Sequence, residues 1–570
     1  MARAASLHRH GPWLCLAVVL ALFLAHLAAL EPAAGFSWYH DNTLYFSSAK
    51  AVAEGRGHIL PSVPGSPPQS KYPLLYPWLL SWIWKWRPSF PDNVPIAIGL
   101  TAFFSCWFLI AAFQLLRKLG GTGDWLALVF VSLTAFHPVF LALSGAVLSD
   151  MPFAALVVTA AIVSDAAFSL QGQRRTAILA GVLAGLSLEV RSLGVPVVAG
   201  IVACGLYRRR WRQTLLFSLA AGVLLLPGVA RIAAGAQAPG WDLAGEQGWR
   251  QTVFYYSSYW RFWKLSVPDA GVLGTMALAN LKSLLEQPAS YCLFPPLGGS
   301  RLGLMACVAL TAWILAGVWR QGRSAGWKPI HFVFPFYGAA ILLWNYALAD
   351  RFLLLFMPLF YAGLWTEASR LCTLLRGSWR AGQPASQRAL AAGMGLAVAA
   401  VFGLAVDHYA RGFRPQLRAR NQNLAALAPE AAEAYVWIRQ NTDPAARFLA
   451  YTDALLWLHT GRQAIRPISF TTDLHYGAEK GRRPEALASI ADVGRKIGAR
   501  YWISTEADFL TEGDLRPLLE ATMAQLESAL PLVFRSSGHK VRIYDVSCLV
   551  GGEECPRLRR HKGGLAACNN

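Results

Sequence analysis

The sequence predicts a mainly α-helical, polytopic membrane protein with about eleven spanning helices. It adds interfacial helices in the first outer loop and a C-terminal soluble α/β domain. Three observations predict this. The 570 residues are 55% hydrophobic and only 15% charged, where a soluble domain carries about 25% charged residues. The apolar residues gather in stretches of roughly 14–22, the length that crosses a hydrocarbon core. Basic clusters recur in alternate short loops between these stretches, the pattern that sets membrane orientation.

The first apolar run, residues 13–30, follows a basic start (Arg3, Arg9). Its core is long for a signal peptide, so it reads as a retained first helix. Further spans are expected at 95–116, 125–143, 153–170, 177–190, 195–207, 215–234, 302–318, 330–348, 352–364 and 390–406. With the N-terminus cytoplasmic, the cytoplasmic loops carry Arg117-Lys118, Arg174-Arg175, Arg208-Arg209-Arg210 with Arg212, then Arg320, Arg323 and Lys328, then Arg370, Arg376, Arg380 and Arg388. That is the signature of an integral, multi-pass protein of a bacterial-type inner membrane. The 22 Trp residues suit a chain with many interfacial anchors.

Residues 1–406 thus form the transmembrane part, with outer loops at 31–94 and 235–301. In the first loop, YPWLLSWIWKW (76–86) is too short to span and is expected in the interface. The aromatic run Phe254-Tyr255-Tyr256, with Tyr259, Trp260, Phe262 and Trp263, reads as interfacial too. Residues 407–570 are polar enough to be soluble and lie extracytoplasmically. There, helical spacing at 430–441 and short strands at 447–451, 501–504 and 541–546 suggest an α/β domain.

The formal net charge of +20 excludes little by itself. The basic residues fall in short loops, which assigns them to topology and membrane lipids and argues against nucleic acid. Six Cys are scattered through the apolar part without metal-ligand spacing. Cys548, Cys555 and Cys568 cluster in the outer tail, where a disulfide is permitted, and Cys548–Cys555 is the expected pair. The His residues show no metal pairing. No cofactor is indicated, and a divalent metal ion at Asp41 stays open.

Chemistry-bearing residues concentrate at the outer face. Asp41 follows the first span and opens a short helix that places Tyr45 and Ser48 near it; it is either a functional carboxylate or that helix's N-cap. Lys71 stands in KYPLLYPW (71–78), where Pro73 and Pro77 bracket a turn beside Tyr72 and Tyr76. It is either a point charge for a lipid phosphate or an interfacial anchor. Asp150, in LSDMPF, is a second outer acid or a second cap. Arg191 and Arg351 sit near outer helix ends, functional or snorkelling.

The order of these pieces resembles the C-type superfamily of glycosyltransferases, which take sugars from polyprenyl-phosphate donors. The resemblance is closest to the bacterial branch related to protein mannosyltransferases and the lipid A aminoarabinose transferase. It rests on the Asp41 loop with Tyr45 and Gly55/Gly57, on KYPLLYPWLL, on LSDMPF, on DRFLLLFMPLFY (350–361), and on AYVWIRQNTDPAARFLAYTD with LLWLHTGRQAI after it. Two positions depart from the family pattern: Asn42 stands where a second acid is frequent, and Tyr72-Pro73 stands for a Pro-Pro pair.

The resemblance implies a hexosyl- or pentosyltransferase with a polyprenyl-phosphate-linked sugar donor and a lipid, glycan or protein acceptor. Asp41 is then the base, Asp150 its partner, and Lys71, Arg351 and Arg191 hold the donor phosphate. Tyr45, Tyr72 and Tyr76 line the substrate pocket. In-line attack at the anomeric carbon predicts inversion. A lipid-linked-sugar flippase or transporter is the alternative. Such proteins place polar groups near the bilayer midplane and often repeat their halves; this sequence puts its polar groups at one face.

Overall fold

The structure, a computed structural model, describes residues 2–236, 252, 255–257, 270–293, 301–345, 351–380, 389, 393, 410–411, 414–469, 490–510, 512 and 515–550. By internal packing the chain forms two compact units. The first comprises Met1–Pro32, Ile98–Leu226 and Met276–Ala419; the second comprises Ala33–Ala97, Pro227–Thr275 and Arg420–Asn570.

The first unit is helical. Among the described residues, five helices are long and apolar enough to cross a membrane: Gly11–Ala28, Val94–Lys118, Asp150–Ala167, Trp211–Ala230 and Arg301–Ala325. Shorter apolar helices run Gly194–Tyr207 and Pro329–Leu342, and Arg174–Val190 packs on Asp150–Ala167. The expected span at 390–406 lies outside the described residues, bar one position.

Three expectations need correction. The span expected at 125–143 is two helices, Asp124–Ala135 and Pro138–Ser144, bent by 64°. Pro138 supplies the reason: it lacks an N–H and pushes His137 out of the helical region, to ψ 135°. The segment 235–301, expected to lie outside, contains a helix, Ala270–Leu293. Its Asn280 donates to the carbonyls of Leu342 and Trp344 at 3.2 and 2.7 Å, serving groups that the end of helix Pro329–Leu342 leaves without partners. Finally, the helix expected to stop near residue 364 runs Met357–Arg380, through Arg370. Glu367, 5% exposed, explains part of this: it takes Arg320 Nε at 2.5 Å and lies 3.8 Å from Arg370, so a buried acid ties both basic groups to helical backbone.

Small residues let these helices approach. A Cβ on Gly317 would lie 2.0 Å from the Gly363 carbonyl oxygen, and one on Gly181 2.4 Å from that of Phe217. Backbone contact of this kind substitutes for the hydrophobic drive that lipid does not provide.

The second unit gathers residues 33–97 with the C-terminal portion. Helix His40–Ala53 ends at Gly55, whose φ of 74° suits a residue without Cβ. Helix Leu75–Trp86 buries Tyr76, Leu80, Ile83 and Trp84. Its opposite face exposes Trp78, Trp82 and Trp86 at 44%, 55% and 77%, an i, i+4, i+8 stripe. Pro77 is inside the first turn of this helix, where its missing N–H does no harm, and does not bracket a turn.

The sheet has five strands: β1 (Phe448–Ala450), β2 (Ala464–Ile465), β3 (Tyr501–Thr505), β4 (Leu532–Arg535) and β5 (Val541–Asp545), in the order β2-β1-β3-β5-β4. β1 runs parallel to β2 and β3, and β5 antiparallel to β3 and β4. Helix Arg414–Asn441 packs Ala434, Tyr435 and Ile438 on Phe448, Ile503 and Ile543. The first loop is stitched to β2: Ala464 N–H reaches Ser62 O at 2.7 Å, and Gln463 Nε2 reaches Val63 O at 3.1 Å. Cys548 is disulfide-bonded and the six Cys nearer the N-terminus are free; Cys555 and Cys568 lie outside the described residues.

Candidate functional site

The predicted site residues fall into two groups, one in each unit. In the second unit, Asp41 sits in the first turn of its helix without capping it. The N-cap is Tyr39, which makes no side-chain cap bond. Instead the Asp41 carboxylate accepts the Tyr72 hydroxyl at 2.6 Å. Tyr72 follows Lys71, whose side chain is buried, 6% exposed. The Lys71 ammonium lies 5.4 Å from the Tyr72 ring centroid and 4.1 Å from that of Tyr255. Tyr45 packs on Tyr72 and Tyr76 with centroids 4.5 and 5.2 Å away. Asp41, Lys71, Tyr45, Tyr72 and Tyr76 therefore come together as one cluster.

In the first unit, Asp150 opens helix Asp150–Ala167 behind Ser149 and makes no cap either. It is 6% exposed and ion-paired to both predicted arginines, closely to Arg191 and at 3.7 Å to Arg351. Two guanidiniums against one carboxylate leave one net positive charge. The chain builds this from three places: a helix start, the residue after helix Arg174–Val190, and the turn before Leu354–Phe356. With Phe153, Tyr337 and Phe352 they line a small recess. A charge held there by apolar walls stays strong, because water screens it poorly.

Sequence reasoning missed a second polar layer beside Lys71. His40 pairs with Asp453, which is fully buried, and its other ring nitrogen lies 2.7 Å from the Tyr255 hydroxyl. Arg466 donates to Tyr255 at 3.1 Å and pairs with Glu512. Tyr255 and Tyr256, expected at a membrane interface, are bonded to His40 and Arg466; the other aromatics of that run lie outside the described residues. Burial pushes the Tyr255 hydroxyl above its ordinary range, against the pull of Arg466, so it remains a neutral donor. Burial also opposes the charge on Arg466, but the oxygens of Tyr451, Tyr255 and Glu512 outweigh it and hold the guanidinium charged. The signal was present: Asp453 closes the stretch AYTD and Arg466 follows GRQAI, both within family-like text. Nothing local tied either to His40. Among the described residues no group of three or more His, Cys, Asp or Glu forms a metal set.

No family model and no curated protein matches the chain. Solved structures are similar to it at a distance. One is ArnT from Cupriavidus metallidurans bound to undecaprenyl phosphate, with 12% identity and a TM-score of 0.48, covering 93% of this chain and 98% of that one. Another is the archaeal oligosaccharyltransferase AglB from Archaeoglobus fulgidus, in complex with an inhibitory peptide and a dolichol-phosphate. Its identity is 12% and TM-score 0.47, covering 94% of this chain and 74% of that one. The functional reading rests on the side chains described above.

Proposed function

We propose that the chain is an inverting glycosyltransferase that moves a sugar from a polyprenyl-phosphate donor to a lipid, glycan or protein acceptor on the extracytoplasmic side. The observation that carries this is the Asp41–Tyr72–Lys71 cluster. A partly buried carboxylate that is not the N-cap of its helix accepts the Tyr72 hydroxyl, and the neighbour of Tyr72 is a buried cation.

In this reaction the acceptor hydroxyl attacks the anomeric carbon, a new C–O bond forms, and the bond to the phosphate oxygen breaks. The hydroxyl proton goes to Asp41 and the electron pair leaves with the polyprenyl phosphate. Lys71 meets the developing phosphate charge, and fixed positive charge aimed there is a large catalytic term. Tyr72 holds the Asp41 carboxylate in one orientation. In the first unit, Arg191 and Arg351 form a separate positive recess suited to a phosphate, and Asp150 orients them. In this reading residues 1–406 form the membrane part with about eleven spans. The N-terminus is cytoplasmic, residues 407–570 are outside, and the membrane is a bacterial-type inner membrane.

The deciding test is Asp41→Asn. Asn keeps the size and still accepts from Tyr72, but takes no proton at neutral pH. In cells lacking the protein, the polyprenyl-phosphate sugar that accumulates identifies the donor. With that donor in nanodiscs, Asp41→Asn is expected to lose at least about a hundredfold in turnover. Wild-type turnover by folded Asp41→Asn protein would falsify the base assignment.

A further inference from the structure

With His40 as a neutral imidazole, the bonding around it runs in one direction. The Asp453 carboxylate can only accept, so the proton of a neutral His40 is on Nε2. Nδ1 then accepts, and the partner it accepts from is the Tyr255 hydroxyl at 2.7 Å. The oxygen of Tyr255 in turn receives Arg466 Nη1 at 3.1 Å, and a guanidinium can only donate. Ser62 adds a second donor to Asp453 at 3.2 Å, and Glu512 fixes Arg466 from the far side. The Tyr255 hydroxyl is therefore held from two directions, and its ring lies 4.1 Å from the Lys71 ammonium.

A lysine side chain has four rotatable bonds and no preferred seat of its own. An aromatic face attracts an ammonium when the ring is kept in place. We propose that Asp453, His40 and Tyr255 form a positioning relay that holds Lys71 in the orientation that receives the donor phosphate. The C-terminal portion then sets the affinity of a site built in the first outer loop. This rests on the reading of Lys71 as a phosphate ligand. None of the three residues touches the reacting atoms; they act through Lys71.

The test uses the full-length protein in nanodiscs, with undecaprenyl phosphate as probe and its Kd as the measurement. Lys71→Ala is expected to weaken binding. Tyr255→Phe, which removes one oxygen, and His40→Gln, which loses the acceptor at the Nδ1 position, are each expected to weaken it about tenfold, the scale of one hydrogen bond. His40→Asn puts an amide oxygen near the place of Nδ1 and should restore binding to within about threefold of wild type. In a Lys71→Ala background, Tyr255→Phe should add nothing.

Normal binding by Lys71→Ala would remove the phosphate reading and the relay with it. Weak binding by Lys71→Ala with normal binding by Tyr255→Phe would sink the relay and leave the phosphate reading standing. Additive losses in the double variant would also overturn the relay, because Tyr255 would then act independently of Lys71. Should His40→Gln not fold, the Tyr255→Phe arms decide the matter.

Discussion

At the scale of residues, Asp41 and Asp150 were ambiguous in sequence between cap and functional group. An Asp at a helix start satisfies both readings, because Asp is among the preferred N-cap types and only the backbone geometry shows whether it caps. In the structure Tyr39 and Ser149 occupy the N-cap positions, Asp41 bonds Tyr72, and Asp150 pairs with two arginines. Another acid, Asp508, passed without notice in sequence. Burial raises its carboxyl to about 7, against hydrogen bonds from Thr505. The folded state thus keeps a proton that the unfolded chain loses near pH 4. Stability from this group is full below the unfolded value and lost as pH rises through about 7. Asp508→Asn should therefore gain on wild type between pH 5 and pH 8, by about 2–3 kcal/mol, seen as a rise in its Tm relative to wild type. Thermal unfolding of both proteins across that range is the measurement; a difference independent of pH would show that Asp508 does not titrate there.

At the scale of elements, hydrophobic periodicity located helices well and their ends and bends poorly. The break at Pro138 was readable from the proline itself, yet the surrounding apolar text masked it. Helix Ala270–Leu293 was missed because Lys282, Glu286 and Pro288 interrupt its apolar pattern. Helix contacts carry their own prediction. Gly317 and Gly363 meet backbone to backbone, so Gly317→Val has no room for its Cβ. It should destabilise the protein by about 1–3 kcal/mol, the range for overpacking, and lower the folded yield in detergent. Gly222, with nothing within 4 Å of a built Cβ, is the control: Gly222→Ala in a helix should be neutral or slightly stabilising.

At the scale of the whole molecule, orientation is a statement about charge distribution. The alternating basic loops predict that a reporter fused after Arg380 is cytoplasmic and one fused after Asn570 is extracytoplasmic. Paired phosphatase and fluorescent fusions give opposite signals on the two sides, and equal signals at both positions would undo the topology. The two compact units also cut across the sequence. The second unit draws on residues 33–97, residues 227–275 and the C-terminal portion, so its chemistry comes from segments hundreds of residues apart.

The sequence by itself determined what local periodicity and composition encode: a helical membrane protein, the short strands of a C-terminal sheet, and Asp41, Lys71, Asp150, Arg191 and Arg351 as the charged residues worth following. The helices and strands follow from patterns a few residues long, repeated at 2 or 3.6, and the charged residues from their places in the loops and a family resemblance. Tertiary structure alone decided who pairs with whom. His40 and Asp453 are 413 positions apart, and Arg466 and Tyr255 are 211 apart. No local pattern carries such a pairing, since it arises only when burial leaves a donor and an acceptor nothing but each other to satisfy them.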